Sequence, residues 1–262
     1  MTTAGVPIKR EWGFSRYAGA LFKKVGFEPT GEEQARILRD RGRFKVVHGG
    51  ERSGKSVILS ADFLPSYAED MTRLPGEELL YWLVAMDYEK TRAEFDFIGE
   101  YLRRWGYPVE QSKRVDPGVI EVKGMLRIET KSGKDPRTLA VRAPHGIIVC
   151  EAGQVDLETY MKCQVRIAEK RGWLKLGGTF EGSLGWFPSL VAAWKIKGRE
   201  GKSYNLPTPS NTVIFPLGIN DPEILRIKEG SSDQFFMERI MGIAVPPKGL
   251  VFPEFRGDVH VK

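Results

Sequence analysis

The sequence predicts an α/β protein built on a mostly parallel sheet flanked by helices. Short apolar runs alternate with segments of helical spacing, as in successive strand–helix–strand units. The runs LLYWLVAM (79–86) and GIIVC (146–150) are apolar without alternation, the mark of strands covered on both faces. Three of the runs end in glycines or an acid, as HGG, VCE and GGT. Sheets of this class bind ligands at the carboxyl ends of their strands, so a fold prediction becomes a site prediction.

The elements follow in order. Residues 1–28 mix aromatic and basic side chains and suggest short helices. Thr30 followed by Glu33 reads as a capping box opening a helix to about Asp40. FKVVHGG (44–50) is a strand entering a loop, and residues 55–69 read as helix. After the 79–86 strand, Phe95, Ile98 and Leu102 stand at helical spacing. VIEVKGMLRIET (119–130) alternates around Lys123-Gly124, which predicts a hairpin. GIIVC is a buried strand, and Asp156 caps a helix to Lys170. WLKLGGT (173–179) is a further strand, GWFPSLVAAW (185–194) a helix with an aromatic face, and TVIFP (212–216) a last strand. Two helices are expected near 221–229 and 232–241.

The chain has 262 residues, 41% of them hydrophobic, enough for one large domain. A net charge of +6 admits polyanions as partners without requiring them. Two cysteines, Cys150 and Cys163, make no disulfide framework and suit a reducing compartment. MTTAGVPIKREWGF lacks the apolar core of a secretory signal, and no apolar run is long enough to span a bilayer. A soluble intracellular protein is expected.

The strongest motif is 49-GGERSGKS-56, which fits G-x-x-x-x-G-K-[ST]. Gly49, Gly50, Glu51, Arg52, Ser53 and Gly54 would form a tight loop with its amides turned to phosphate. Lys55 would supply a point charge, and the Ser56 hydroxyl a ligand for Mg²⁺. The helix after it adds its N-terminus as anion support. At ordinary glycine abundance a chance match in a chain this size occurs roughly once in a hundred, and the strand before and helix after supply the context the motif needs.

Glu151, at the tip of the GIIVC strand, is placed to polarise an attacking water, alone or with a water-bridged contact to the metal. A carboxylate capping the helix near Asp156 is the alternative. Cys150 stands where such strands usually carry an aspartate, and a neutral thiol is a poor ligand for a hard cation. The next strand end, 177-GGTFEG-182, places Thr179 to sense phosphate, against the alternative of a plain glycine turn. Gln34 could pair with adenine or be a solvated helix residue. Arg52, Arg137 and Arg142 are candidates to stabilise a transferring phosphate. Lys131, Lys134, Arg137 and Arg142 could equally form a basic face toward DNA.

Together these pieces resemble the ATPase domain of a tailed-phage terminase large subunit, from about Thr30 to Lys262. GGERSGKS resembles that family's arginine-bearing loop, and Gln34 stands at its adenine motif. VAMDYEKTRAEF (84–95) resembles the segment after its second strand, GTFEGSLGWF (178–187) its coupling motif, and GLVFPEFRGDVHV (249–261) its link to a nuclease domain. The resemblance implies a RecA-like phosphate-loop NTPase with additional strand and catalytic glutamate, and a small lid subdomain. The ATPase domain would span 1–250, its lid drawn from the N- and C-terminal segments, with 251–262 starting the linker to a nuclease domain absent from this chain.

It further implies ATP and Mg²⁺ as cofactors, with Lys55 and Ser56 on phosphate and metal, Glu151 as catalytic carboxylate, Thr179 in coupling, and Arg142 or Arg137 as a finger reaching a neighbouring subunit. The implied partners are double-stranded DNA, the portal protein of the procapsid, the small terminase subunit and further copies in a ring, commonly a pentamer, with a monomer expected in isolation. The implied location is the host cell cytoplasm. Two departures stand out: Cys150 in place of the acid, and no acidic cluster for two-metal cleavage. Competing readings are a nucleotide-binding assembly module with little hydrolysis, another RecA-like DNA-dependent ATPase or helicase, and a small-molecule kinase.

Overall fold

A computed structural model describes residues 15–134, 136–140 and 142–245. In chain order these are α1 (Arg16–Val25), α2 (Glu32–Arg39), β1 (Phe44–Gly49), α3 (Lys55–Arg73), β2 (Leu79–Ala85), α4 (Arg92–Trp105), β3 (Glu110–Gln111), β4 (Val119–Val122), β5 (Leu126–Ser132), β6 (Gly146–Val149), α5 (Leu157–Ala168), β7 (Trp173–Gly178), α6 (Trp186–Ala193), β8 (Gly201–Leu206) and α7 (Pro222–Gly230). A short helical run, Asp233–Phe235 continued by a π turn at Phe236–Ile240, closes the described chain.

The eight strands form one sheet in the order β3-β4-β5-β2-β6-β7-β1-β8. Pairing is parallel from β5 to β8, the β3-β4-β5 edge is antiparallel, and its β4–β5 pair is the hairpin that the sequence predicts. The fold class is therefore as expected. Strand β7 stands between β1 and β6, so the loop after β1 and the tip of β6 open at the same end of the sheet.

Side chains alternate between the two faces, as the pleat requires. Tyr81 and Leu83 of β2 join Phe63, Tyr67, Phe95 and Ile98 under α3 and α4. Trp82 and Val84 join Ile147, Val149, Tyr160 and Phe187 under α5 and α6. On β6 the same alternation sends Ile148 and Cys150 to the α3 side.

Two sequence expectations need correction, and one strand lies where none was expected. The Thr30–Glu33 capping box does not form: extended Gly31 is the N-cap of α2, without a side-chain cap bond. The Gln34 side chain reaches back instead, its Oε1 accepting from the Thr30 N–H at 2.9 Å. TVIFP is not a strand. Its Ile214 and Phe215 amides turn back onto the Asn211 carbonyl, and Val213 and Ile214 are exposed. The strand beside β1 is instead 201–206, a mixed polar edge whose alternation is too weak to read. The linker expected at 251–262 lies outside the described residues.

One charged cluster fixes α3 to the sheet. Asp62, wholly buried, receives Lys45 of β1 at 2.8 Å and Lys175 of β7 at 2.9 Å. Burial alone would raise the Asp62 carboxyl, but Lys175, Lys45 and Arg41 hold it below its ordinary range. Removing one partner of such a cluster leaves uncompensated charge in the core. Asp62→Asn is expected to cost about 3–5 kcal/mol by urea denaturation; a loss near zero would show that the backbone carbonyls around the two ammonium groups suffice.

Candidate nucleotide site

The loop from Gly49 to Gly54 is shaped by close approaches that only glycine permits. A Cβ at Gly49 would stand 2.0 Å from the Leu206 carbonyl oxygen, and one at Gly50 2.1 Å from that of Ile240. Gly54 takes φ +92, and Arg52 also lies in the left-handed region at φ 58. The carbonyls of Glu51 and Arg52 are held from outside, by the Thr208 hydroxyl at 2.5 Å and the Asn211 amide at 2.8 Å. Helix α3 starts at Lys55 directly after Gly54 and runs 19 residues, so its free N-terminal amides face the loop.

Lys55 is buried and donates to the Gly50 carbonyl at 2.6 Å, inside the loop it follows. Burial lowers its pKa, opposed by the nearby charges of Glu151, Glu51 and Glu94. Ser53 is fully buried, and among the described residues its hydroxyl has no hydrogen-bond partner. A left-handed loop, a convergent lysine, a helix start and an orphaned hydroxyl are the donor set a polyphosphate needs. Gln34 is buried beside the loop, its Nε2 3.1 Å from where a Cβ of Gly54 would lie.

The strand tip faces this loop. Cys150 is buried, and burial together with Glu94 and Glu151 raises its thiol well above the ordinary value, so it is neutral. Glu151 adopts φ 46 and ψ 51, a left-handed conformation that ends the strand and opens the short turn at 152–154. Such backbone is uncommon for a residue with a side chain and is concentrated at functional sites. Its carboxylate lies within electrostatic range of Lys55 and Glu94. The alternative role as a helix cap falls to Asp156, which accepts from the Thr159 amide at 2.6 Å.

Sequence reasoning missed Glu94. It sits in the first turn of α4, 3% exposed, within hydrogen-bonding reach of the Ser56 hydroxyl and the Cys150 thiol. Burial pushes its carboxyl up to about 7. An acid in a first helical turn reads as dipole compensation, so nothing local marks it.

Thr179 is buried at the end of β7, between loop and strand tip. A Cβ at Gly153 would stand 2.2 Å from the Thr179 carbonyl oxygen, so the Glu151 turn packs directly on it. A second missed residue, Arg239, ties these parts together. Its Nε donates to Glu51 at 2.9 Å and its Nη1 to Glu181 at 2.6 Å, while Gln154 donates to the other Glu181 oxygen at 2.9 Å.

The other arginines are not brought to the loop. Arg142 pairs with Glu78 at 3.9 Å, at the amino ends of β2 and β6 and therefore at the far end of the sheet. Arg137 is exposed on the turn Pro136–Leu139. Of the basic run, Lys131 is buried against Glu129 at 2.8 Å and lies over the Trp82 ring, so it belongs to the sheet packing.

Among the described residues no helix is long and apolar enough to cross a membrane. No family model and no curated protein matches the sequence. Solved structures do match. The large terminase ATPase domain of Thermus phage P74-26 superposes with a TM-score of 0.66 at 16% identity, over 84% of this chain and 95% of that one. The fold is that of a phage large-terminase ATPase domain. A large terminase of a thermophilic bacteriophage, in complex with ATP-gamma-S, gives 0.64 at 16% identity, over 88% of this chain and 57% of that one. The HK97 bacteriophage large terminase gives 0.60 at 12%, over 91% and 52%. This chain thus spans little more than half of those two proteins.

Arg239 joins the glycine-cornered loop to the 178–183 turn through two partly exposed carboxylates. Each such pair is worth up to about 1 kcal/mol. Arg239→Met is expected to speed hydrogen exchange in residues 180–185 roughly five-fold while leaving β2 and β6 unchanged. Unchanged exchange there would show that the tie carries no stability.

Proposed function

We propose that this chain is an ATP-hydrolysing motor domain that drives double-stranded DNA into a procapsid, the N-terminal domain of a phage terminase large subunit. One observation supports this above all. The glycine-cornered loop, its buried Lys55 and the left-handed Glu151 meet at one end of a parallel sheet whose fold is that of terminase ATPase domains.

In this reading ATP lies along the loop amides, with Gln34 on its adenine. Lys55 leaves the Gly50 carbonyl for the β- and γ-phosphates, and Ser53 uses its unpartnered hydroxyl on a phosphate oxygen. Glu151 orients the attacking water in line with the bond to be broken and accepts its proton as the new P–O bond forms. Lys55 balances the charge that leaves with ADP. Mg²⁺, when bound with the nucleotide, neutralises phosphate charge, and Ser56 is the residue of the loop that would hold it.

Thr179 and the Arg239–Glu181–Gln154 chain connect phosphate occupancy to the helix after β7. The segment 208–243, with its own small cluster of Phe215, Ile224, Phe236 and Ile240, acts as the lid. Arg142 or Arg137, remote from the loop of their own subunit, would serve the loop of a neighbour in a ring. Portal protein and small terminase subunit are the expected partners, and host cytoplasm the place. A second reading, a nucleotide-binding assembly module with little turnover, is favoured by one observation, the neutral buried Cys150.

Turnover separates them. Glu151→Gln is expected to lower ATPase rate by about a hundred-fold or more while nucleotide still binds, and Lys55→Ala to weaken binding itself. A wild-type protein without turnover, switched on by Cys150→Asp, would favour the assembly module. An unchanged rate in Glu151→Gln would remove Glu151 from the chemistry.

A further inference from the structure

Strand β6 lacks an acid at position 150, yet the space beside Ser56 does not lack one. The Cys150 amide donates to the Val84 carbonyl at 2.7 Å, so the end of β2 lies against the tip of β6. The chain leaves β2, makes a turn at Tyr88–Thr91 fixed by the Asp87 side chain, and enters α4. That path delivers the first turn of α4 to the same side of the sheet as Cys150. There the Glu94 carboxyl faces the Ser56 hydroxyl and the Cys150 thiol together.

We propose that Glu94 supplies the carboxylate that holds the nucleotide's magnesium in this chain, in place of the acid absent at position 150. The inference rests on the nucleotide site proposed above.

A dipole-compensating acid does not need this placement. The first-turn acids of α2, α5 and α7, Glu32, Glu33, Glu158 and Glu223, are all exposed, whereas Glu94 is 3% exposed. Among the described residues Glu94 forms no salt bridge, and the charges within electrostatic range of it include the Glu151 carboxylate and the Lys55 ammonium. A buried carboxylate without an ion pair, beside a hydroxyl, a thiol and a second acid, is costly unless a cation joins it.

The site does not need to form a complete metal cage. Mg²⁺ keeps several waters and is held at phosphate sites by one or two carboxylates with the nucleotide's own oxygens. Accordingly no group of three or more His, Cys, Asp or Glu side chains among the described residues could hold a metal alone. Ser56 and Glu94 provide oxygens on adjacent helices, and the Cys150 sulfur beside Glu94 is the wrong donor for a hard ion.

The test measures how much Mg²⁺ tightens binding of a fluorescent non-hydrolysable ATP analogue, comparing Mg²⁺ with EDTA, in the full chain. A parallel titration with Mn²⁺ reads metal affinity of the analogue complex by electron paramagnetic resonance. Glu94→Gln is expected to reduce the Mg²⁺ gain and the Mn²⁺ affinity by about ten-fold or more. Cys150→Asp in the Glu94→Gln background is expected to restore both. Should the glutamine variant fail to fold, Glu94→Asp, which withdraws the carboxylate by one methylene, is expected to show a smaller loss of the same kind. A Glu94→Gln or Glu94→Asp protein with the full Mg²⁺ gain and Mn²⁺ affinity overturns the proposal. Failure of the wild-type chain to bind the analogue in either condition would overturn the nucleotide site itself, a separate result.

Discussion

Everything in the site depends on how closely backbone can approach backbone at the end of β1. Gly49 lies against Leu206 and Gly50 against Ile240 at distances that exclude any side chain. Because of that approach the loop turns immediately, α3 starts immediately after it, and the last described segment sits on the loop rather than beside it. Asp62 then fixes α3 to β1 and β7 through Lys45 and Lys175. The loop is thus set rigidly against the two strands whose neighbours carry Thr179 and Glu151.

Much of this was legible from local pattern. GGERSGKS is a contiguous motif, and the apolar runs of β2 and β6 read as doubly covered strands because both faces of the sheet are filled. Glu151 and Thr179 were legible because strand ends are where such sheets bind ligands. What stayed hidden depends on long-range packing. Glu94 is a first-turn acid until β2 is known to lie against β6. Arg239 lies 188 residues from Glu51 in sequence and bonds it directly. The error at 212–216 has the same origin, for a short apolar run flanked by prolines looks like a strand until its amides are seen turning back onto Asn211. The hint was in Cys150: a phosphate-loop strand without its acid directs attention to carboxylates delivered by neighbouring crossovers.

The two surprises form one picture. Glu94 comes from the crossover after β2 and Arg239 from the C-terminal segment, and each reaches a different part of the motif. One meets Ser56, where metal and phosphate are expected. The other meets Glu51 and Glu181, linking the loop to the turn after β7 and, through Gln154, to the turn that holds Glu151. Direct hydrogen bonds thus run from the loop to the turn that holds Glu151 and to the segment above it.

The most direct measurement is a crystal structure of the chain with a non-hydrolysable ATP analogue and Mn²⁺, the metal located by its anomalous scattering. The account predicts metal beside the Ser56 hydroxyl and the phosphates, with a Glu94 oxygen bound to it directly or through one water and the Cys150 sulfur outside its shell. Metal ligated by Cys150, or Glu94 turned away from an ion held by Ser56 and phosphate alone, would contradict it.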